Sequence, residues 1–570
     1  MISSYAAHGG ELVNLIVSDD RASALKALSR NLQSITLSRS AVFDLELLLN
    51  GAFSPLKGFM NRSDYESVLD RMRLQDNTLW PIPVCLGISA SEAQQLESGQ
   101  SAALRDNEGF MLAVLHIQDI WPIEKEKEAE AVYGTRNPEH TGVCSLFDSP
   151  GKYYAGGTVE GIQPPLHAAF KSMWHSPLEM RHLFKRLGWR RIVGFHTRNP
   201  LHRVQYELTL RAMAQVKANL LLHPVAGNVT PGDIDAYTRI HCYLSAGKNY
   251  PANMMQLSLI PLAMRMAGPR EALWHAVIRK NYGCTHFIVG PNHASPAPNA
   301  DGKPFYARDA AMNLAVSFND ELGIEIVAVE EMVYVADEDV FLPVSEVPKG
   351  VQTRLMSNDE FHVKLRNSRK IPDWFSFPDV VETIQQAYPP RHKQGVTIFF
   401  TGLSGAGKST VARILYARFI EMRSRPVTLL DGDIVRQNLS SELGFSKEHR
   451  DLNVKRIGYV ASEITKNRGI AICAPIAPYA STRRHIRQLI EKYGGFIEVH
   501  VGTPVEVCEN RDRKGLYAKA RAGLIKEFTG VNDPYEIPEN PEVYIDTTDM
   551  TPDEAAQEVL LYLERAGYTR

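Results

Sequence analysis

Nine consecutive residues, Gly402-Leu403-Ser404-Gly405-Ala406-Gly407-Lys408-Ser409-Thr410, fit the phosphate-binding pattern G-x-x-x-x-G-K-[ST]. Glycines at these spacings let successive backbone N–H groups close around phosphate oxygens. A helix starting inside the motif adds the positive end of its dipole. Lys408 would reach the outer phosphates, and the Ser409 hydroxyl would hold Mg²⁺. A glycine-rich turn with no ligand is the alternative, and the flanks argue against it. The apolar run 396–400 reads as a buried strand and residues 411–422 read as a helix. That strand–loop–helix order is what the motif requires. The last third of the chain therefore handles a nucleoside triphosphate.

A second strand is expected over residues 425–430, ending in Asp431-Gly432-Asp433. In a parallel α/β sheet, ligands gather beyond the C-terminal ends of the strands, which places both carboxylates opposite the phosphate loop. Phosphoryl transfer needs a positioned nucleophile, a metal and an acceptor for the nucleophile's proton. Asp433 is the candidate acceptor, and Asp431 the candidate for ordering Mg²⁺ waters. An Asp-Gly turn alone would have no function. Arg436, Arg450, Lys455 and Arg456 follow, then Arg511, Arg513, Lys514, Lys519 and Arg521 around Gly515-Leu516-Tyr517. The second set suggests a mobile lid over anionic groups. Residues 528–535 are dense in turn formers and aromatics and read as a binding loop.

These residues must be positioned by a much larger chain. Its 570 residues predict three or four domains. Lys+Arg number 63 against 65 Asp+Glu, so no strong field favours nucleic acid or an anionic membrane. Six scattered cysteines form no C-x-x-C pair, which indicates neither a zinc site nor a disulfide framework. No signal peptide and no run long enough to span a bilayer is evident, and a reducing cytoplasm is the expected compartment. Residues 1–165 look mixed and β-rich, with short strands near 83–88 and 109–115. The charged run 124–130 alternates in sign and reads as a solvated helix face. Over residues 166–388 strands alternate with helices, the pattern of a parallel α/β sheet. Residues 389–395, inside a Pro- and basic-rich stretch, are the expected linker, and residues 396–570 a final α/β domain.

The C-terminal segment resembles adenylylsulfate (APS) kinase across residues 396–550. The resemblance rests on the phosphate loop, Asp431-Gly432-Asp433-Ile434-Val435-Arg436, Gly444-Phe445-Ser446 with Arg450 and Asn453, Lys514-Gly515-Leu516-Tyr517, Phe528-Thr529-Gly530, and Asp533-Pro534-Tyr535-Glu536. It implies transfer of the ATP γ-phosphate to the 3′-hydroxyl of adenylyl sulfate, giving 3′-phosphoadenylyl sulfate. It also implies that Arg436, Arg450, Asn453 and Lys514 hold adenylyl sulfate and that Phe445 and Phe528 sandwich its adenine. Some members carry a phosphorylatable serine before Pro-Tyr. Here that place is Ala477, which has no oxygen to modify, so direct in-line transfer is expected.

Residues 1 to about 388 resemble ATP sulfurylase, which joins sulfate to the α-phosphate of ATP and releases pyrophosphate. Its signs are His8-Gly9-Gly10, residues 52–59, Thr197-Arg198-Asn199-Pro200-Leu201-His202, Pro231-Gly232-Asp233-Ile234-Asp235, residues 264–270 and residues 371–376. The implied fold is a PUA-like domain followed by a Rossmann-like nucleotidyltransferase domain. The active-site motifs depart from the family. The family's Q-x-R-N-P-x-H-x-x-H reads His196-Thr197-Arg198-Asn199-Pro200-Leu201-His202-Arg203-Val204-Gln205 here. Arg198, Asn199 and His202 remain; His196 replaces a glutamine and Gln205 a histidine. The family's G-R-D-H-A-G reads Gly290-Pro291-Asn292-His293-Ala294-Ser295, so Pro291 removes an arginine. Proline supplies neither a cation nor a backbone N–H. A later S-G-T-E-x-R stretch reads Ser357-Asn358-Asp359-Glu360-Phe361-His362. Losing one donor to a developing negative charge lowers rates about 10²–10³-fold, so a degenerate sulfurylase site is expected. The alternative is that the replacement side chains compensate, for example through a protonated His196.

Three functions follow. The first is an APS kinase acting on ATP and adenylyl sulfate, carried on a silent sulfurylase-like module that serves as an oligomerisation scaffold, for dimers or hexamers, or as a ligand-sensing domain. The second is a bifunctional enzyme making the 3′-phosphorylated product from sulfate and two ATP. The third is a non-catalytic sensor, as in fungal sulfurylases with a degraded phosphate loop; intact Lys408, Ser409, Asp431 and Asp433 argue against it.

Overall fold

The computed structural model of the chain describes residues 6–227, 234–366, 369–423, 425–444, 446–512 and 515–569. Within these, the side chains of Asn358, Asp359, His362, Arg366 and Asp433 lie outside the described set. Two compact units emerge: Met1–Met356 with Pro372–Thr383, and Ser357–Ile371 with Ile384–Arg570.

The first unit opens on a six-stranded, mostly antiparallel sheet whose long strands are Met111–Pro122 and Tyr153–Gly161. The charged run expected to be a solvated face is a helix, Lys125–Tyr133, but not all of its charges face water. Glu128 is buried, and the phenols of Tyr65 and Tyr154 each donate to its Oε2 at 2.9 Å. A buried carboxylate persists only when such donors satisfy it. Alternating charge sign carried no signal for this one inward-facing position.

A five-stranded parallel sheet follows, in the order Glu325–Ala328, His286–Val289, Ile192–Phe195, Asn219–Leu222, Met255–Leu257. Its strands pair in parallel register throughout. The chain builds outward from Ile192–Phe195 in one direction, then crosses to His286–Val289 on the other side. That reversal leaves a crevice beyond the C-terminal ends of these two strands, the position where open α/β sheets bind ligands. His196 to Asn199 follow the first strand, and Gly290 to His293 follow the second.

The second unit contains another five-stranded parallel sheet, ordered Val427–Asp431, Ile470–Ala474, Val396–Gly402, Gly495–Val501, Val543–Ile545. Every residue of the central strand Val396–Gly402 is buried, as expected of a strand covered by helices on both faces. The helix Lys408–Met422 starts directly after the phosphate loop. The expected linker is not slack at its far end. Arg391 donates to Ala566 O at 2.9 Å and lies over the Tyr568 ring, inside the second unit. No helix among the described residues is long and apolar enough to cross a membrane.

Candidate active sites

The phosphate loop is shaped by backbone packing that admits only glycine at two points. A Cβ on Gly402 would meet Val501 O at 2.4 Å, and one on Gly405 would meet Cys508 O at 2.8 Å. Both have positive φ, +148° and +81°, which disfavour any side chain. Gly407, at φ +99°, is the N-cap of the following helix. The rim is tied down from outside: Thr547 Oγ1 donates to Ala406 O at 3.0 Å and the Tyr517 phenol to Ser404 O at 2.8 Å. Lys408 is buried, and its ammonium donates to Gly402 O at 2.9 Å and Leu403 O at 2.7 Å. Ser409 is half-buried in the first helical turn beside Lys408, while Leu403 is half-buried and Thr410 exposed.

Asp431 ends its strand, buried, with Arg413 Nη2 3.9 Å from its Oδ2. It lies at the same sheet edge as the phosphate loop, with the strand Ile470–Ala474 between them. The Asp-Gly pair does not make a turn; the helix Gly432–Asn438 begins at once. Asp433 is therefore in a first helical turn, but its side chain lies outside the described residues.

Of the residues expected to hold adenylyl sulfate, Arg450 sits in a cage of three partners. Arg450 pairs with Asp533 at 2.9 Å, donates to Thr529 Oγ1 at 2.7 Å, and donates to the Tyr479 phenol at 3.2 Å. Tyr479 in turn donates to Asp533 at 3.0 Å, and burial pushes its phenol up to about 12. Asn453 is buried one helical turn along, on the same helix, Lys447–Lys466. Its Oδ1 and Arg450 Nε have no hydrogen-bond partner among the described residues. Buried polar atoms without partners are uncommon in proteins, which makes these two candidates for contact with a polar ligand. Arg436 donates to Leu443 O and Gly444 O at 3.1 and 2.8 Å. Phe528 is buried edge-on to Tyr517, with ring centroids 5.0 Å apart. Phe445, Arg513 and Lys514 lie outside the described residues. Two cations of the expected lid are committed elsewhere: Arg511 donates to Thr547 at 2.8 and 2.6 Å, and Arg521 forks onto Glu509 at 3.0 and 2.9 Å. In the sequence, Tyr479 and Asp533 stand only as motif letters. Nothing in their spacing signals that they brace Arg450.

Behind the phosphate loop, His500 is buried in the strand Gly495–Val501 beside Tyr535, at 5.9 Å between rings. Burial, with Arg483 nearby, pushes its imidazole down to about 4. Its folded value thus lies below the unfolded one, and the unfolded chain binds the extra proton in acid. The neutral ring's contribution is complete above about pH 6.5 and is lost as pH falls towards about 4. A His500→Gln variant is expected to show a smaller drop in denaturation midpoint between about pH 7 and about pH 4.5 than the parent.

In the first unit the crevice at the strand crossover is lined by imidazoles. His196 lies against His275, with ring centroids at 4.1 Å, and against His293 at 5.6 Å. Arg279 Nη2 donates to His196 Nδ1 at 2.7 Å. That bond needs a lone pair on the ring. Burial, with His275 and Arg279 beside it, holds His196 well below its ordinary value. The cation that a protonated His196 would have restored is therefore not supplied. His275 Nδ1 and His293 Nε2 share one hydrogen bond at 2.9 Å, and His293 is also held low by burial. His202 is buried, its Nδ1 2.9 Å from Ser376 Oγ and its ring 4.6 Å from Phe375. This explains why the stretch ending in Phe375-Ser376 belongs with the phosphate motif. Gln205 now serves the fold. Its Oε1 accepts from the His202 N–H at 3.0 Å and caps the helix Arg203–Val216. Arg198 is half-buried, with Nη1 3.7 Å from Met266 Sδ. Thr197 Oγ1 accepts from the Asn199 N–H at 3.2 Å, closing the turn. Pro291 is half-buried in a loop whose next residue, Asn292, has φ +54°. Of the Pro-Gly-Asp-Ile-Asp stretch, Pro231, Gly232 and Asp233 lie outside the described residues; Asp235 caps the helix Ala236–Gly247. Among the described residues no cluster of three or more His, Cys, Asp or Glu could hold a metal.

A parallel sheet with a strand-order reversal and a phosphate-loop sheet in one chain define two α/β modules of the nucleotide-binding type, each with one candidate site. Family models match as a PUA-like domain over residues 5–164, ATP-sulfurylase over 171–387 and adenylylsulphate kinase over 394–546. A sulfate adenylyltransferase of Neurospora crassa is 45% identical over 564 residues, covering 98% of each chain. Another from Mycosarcoma maydis is 45% identical, covering 98% of this chain and 99% of its own. A solved structure, the hexameric APS kinase from Thiobacillus denitrificans, matches with TM-score 0.82 and 40% identity over 99% of this chain and 100% of its own. The chain belongs to the family that joins an ATP sulfurylase-type module to a C-terminal APS kinase domain.

Proposed function

We propose that the chain is an adenylylsulfate kinase whose sulfurylase-type module has lost its own reaction. The observation that carries this reading is the complete phosphate loop beside the Arg450–Asp533–Tyr479 cage. One half suits a nucleoside triphosphate; the other offers a guanidinium and buried unpaired polar atoms to an anionic acceptor. Arg450 and Asn453 hold the sulfated nucleotide, and Lys408 follows the γ-phosphate as charge develops on it. Asp433 takes the proton from the 3′-hydroxyl. Mg²⁺, which binds through one or two carboxylates or hydroxyls plus phosphate oxygens, suits Ser409 and Asp431 and would neutralise the phosphates. Ala477 carries no hydroxyl, so no phosphoserine forms there and transfer is direct.

Loss of the sulfurylase reaction rests on three replacements that act together: a neutral His196, a Gln205 occupied in capping, and Pro291. The module would then serve assembly. The Thiobacillus relative is described as hexameric, which supports a dimer or hexamer here. The fungal relatives' name, sulfate adenylyltransferase, favours the second reading, a bifunctional enzyme. Two assays decide. Adenylyl sulfate with ATP is expected to yield ADP and the 3′-phosphorylated product; adenylyl sulfate with pyrophosphate is expected to yield no ATP. Rapid ATP formation would establish the bifunctional reading. An Asp433→Asn variant is expected to lose about 10²–10⁴-fold in kcat with little change in KM for ATP; full turnover would remove Asp433 from the base role.

A further inference from the structure

Arg483 has no part in the motifs that define the kinase site, yet it is almost wholly buried. It lies on the helix Ala480–Ile490, and its guanidinium spends each face on a different segment. Nη1 donates to Ala477 O at 2.8 Å, and Nη2 donates to Glu536 O at 2.8 Å. Nε lies 2.8 Å from Glu498 Oε1 on the strand beside the phosphate-loop strand. Its Cζ sits over the Tyr535 ring at 5.9 Å. The same Ala477 carbonyl accepts from Thr401 Oγ1 at 3.1 Å, and Thr401 also bonds the Tyr535 hydroxyl at 2.9 Å. Thr401 is the residue immediately before Gly402. One planar cation thus fastens the loop carrying Tyr479, the loop carrying Asp533 and the strand Gly495–Val501, and it reaches the strand leading to the phosphate loop through the Ala477 carbonyl and Tyr535, both bonded to Thr401. Tyr479 and Asp533 are two of the groups that brace Arg450. Ala477 itself is held at φ +45°, a conformation that needs support from outside for a residue with a Cβ.

We propose that Arg483 is a positioning residue for the kinase reaction: it sets the separation between the phosphate loop and the acceptor cage, and so tunes acceptor affinity without touching either substrate. The inference rests on the kinase reading above. Lysine is the informative substitution, because an ammonium keeps the charge but cannot hold three partners in one plane. Arg483→Lys is expected to raise KM for adenylyl sulfate about tenfold, with KM for ATP within twofold of the parent and a cooperative thermal transition retained. Tyr535→Phe, which deletes only the hydroxyl linking to Thr401, is expected to shift the same constant in the same direction by a smaller factor. Calorimetric titration with adenylyl sulfate gives a second readout independent of turnover. Equal changes in both KM values, or a fall in kcat alone that tracks the fraction folded, would reduce Arg483 to a structural role and overturn the proposal. If Arg483→Lys does not fold, an unchanged adenylyl sulfate KM in Tyr535→Phe overturns it. A parent protein that phosphorylates adenylyl sulfate normally while both variants match it also overturns it and leaves the kinase reading standing. A parent that neither turns over nor binds adenylyl sulfate removes both.

Discussion

Replacing Lys408 by alanine is expected to abolish phosphoryl transfer, lowering kcat by about 10²–10³-fold or more while the protein stays folded. The side chain is one of the few buried cations among the described residues of the kinase unit, and its ammonium is aimed at the loop interior, donating to Gly402 O and Leu403 O. Glycine geometry at 402 and 405 is fixed by contacts with Val501 O and Cys508 O, not by the lysine, so the loop should survive truncation. The measurement is ADP release with adenylyl sulfate and ATP, beside a thermal melt of parent and variant. Turnover within tenfold of the parent would mean that the phosphate loop is not the catalytic site.

The second large effect concerns the module expected to be silent. Given adenylyl sulfate and pyrophosphate, the parent is expected to form ATP at least about 10³-fold more slowly than the combined variant His196→Gln, Gln205→His, Pro291→Arg. Each change returns a group that contacts negative charge in the family pattern: a neutral donor in place of a ring whose Nδ1 is already taken by Arg279, an imidazole on the phosphate helix, and a guanidinium on the facing loop. Single reversals are expected to give little, because residues that act as one unit are strongly non-additive. A parent that forms ATP at an ordinary enzymatic rate would overturn the reading and make the chain bifunctional.

The sequence made the large divisions readable because they rest on periodicity and on motifs with mechanical requirements. The strand–loop–helix order around Gly402 demanded one backbone arrangement, and the helix from Lys408 follows it. Alternation of strands and helices pointed to the two parallel sheets. Contacts between residues far apart in the chain were not readable. Glu128 faces inward because Tyr65 and Tyr154 wait for it, 63 and 26 residues away. Arg450 meets Thr529 and Asp533 only when two loops fold back on one helix. The charge state of His196 follows from its burial and from His275 and Arg279 beside it, and no local pattern announces neighbours so far along the chain. The lid expected from clustered cations was a compositional inference, and Glu509 and Thr547 consume two of its members.

The cap formed by Gln205 makes the exchange at this position hard to undo. An amide there holds the His202 N–H and closes the start of a 14-residue helix. A histidine placed back at 205 would forfeit that bond, a loss of roughly 0.5–2 kcal/mol at a helix start. It would do so before the other two groups were in place to make it useful. Restoring the family's motif one residue at a time thus begins downhill in stability and, on the proposed reading, flat in rate. On the reading proposed above, Gln205 acts as a ratchet: one hydrogen bond holds the helix start in its present form against a lone reversal.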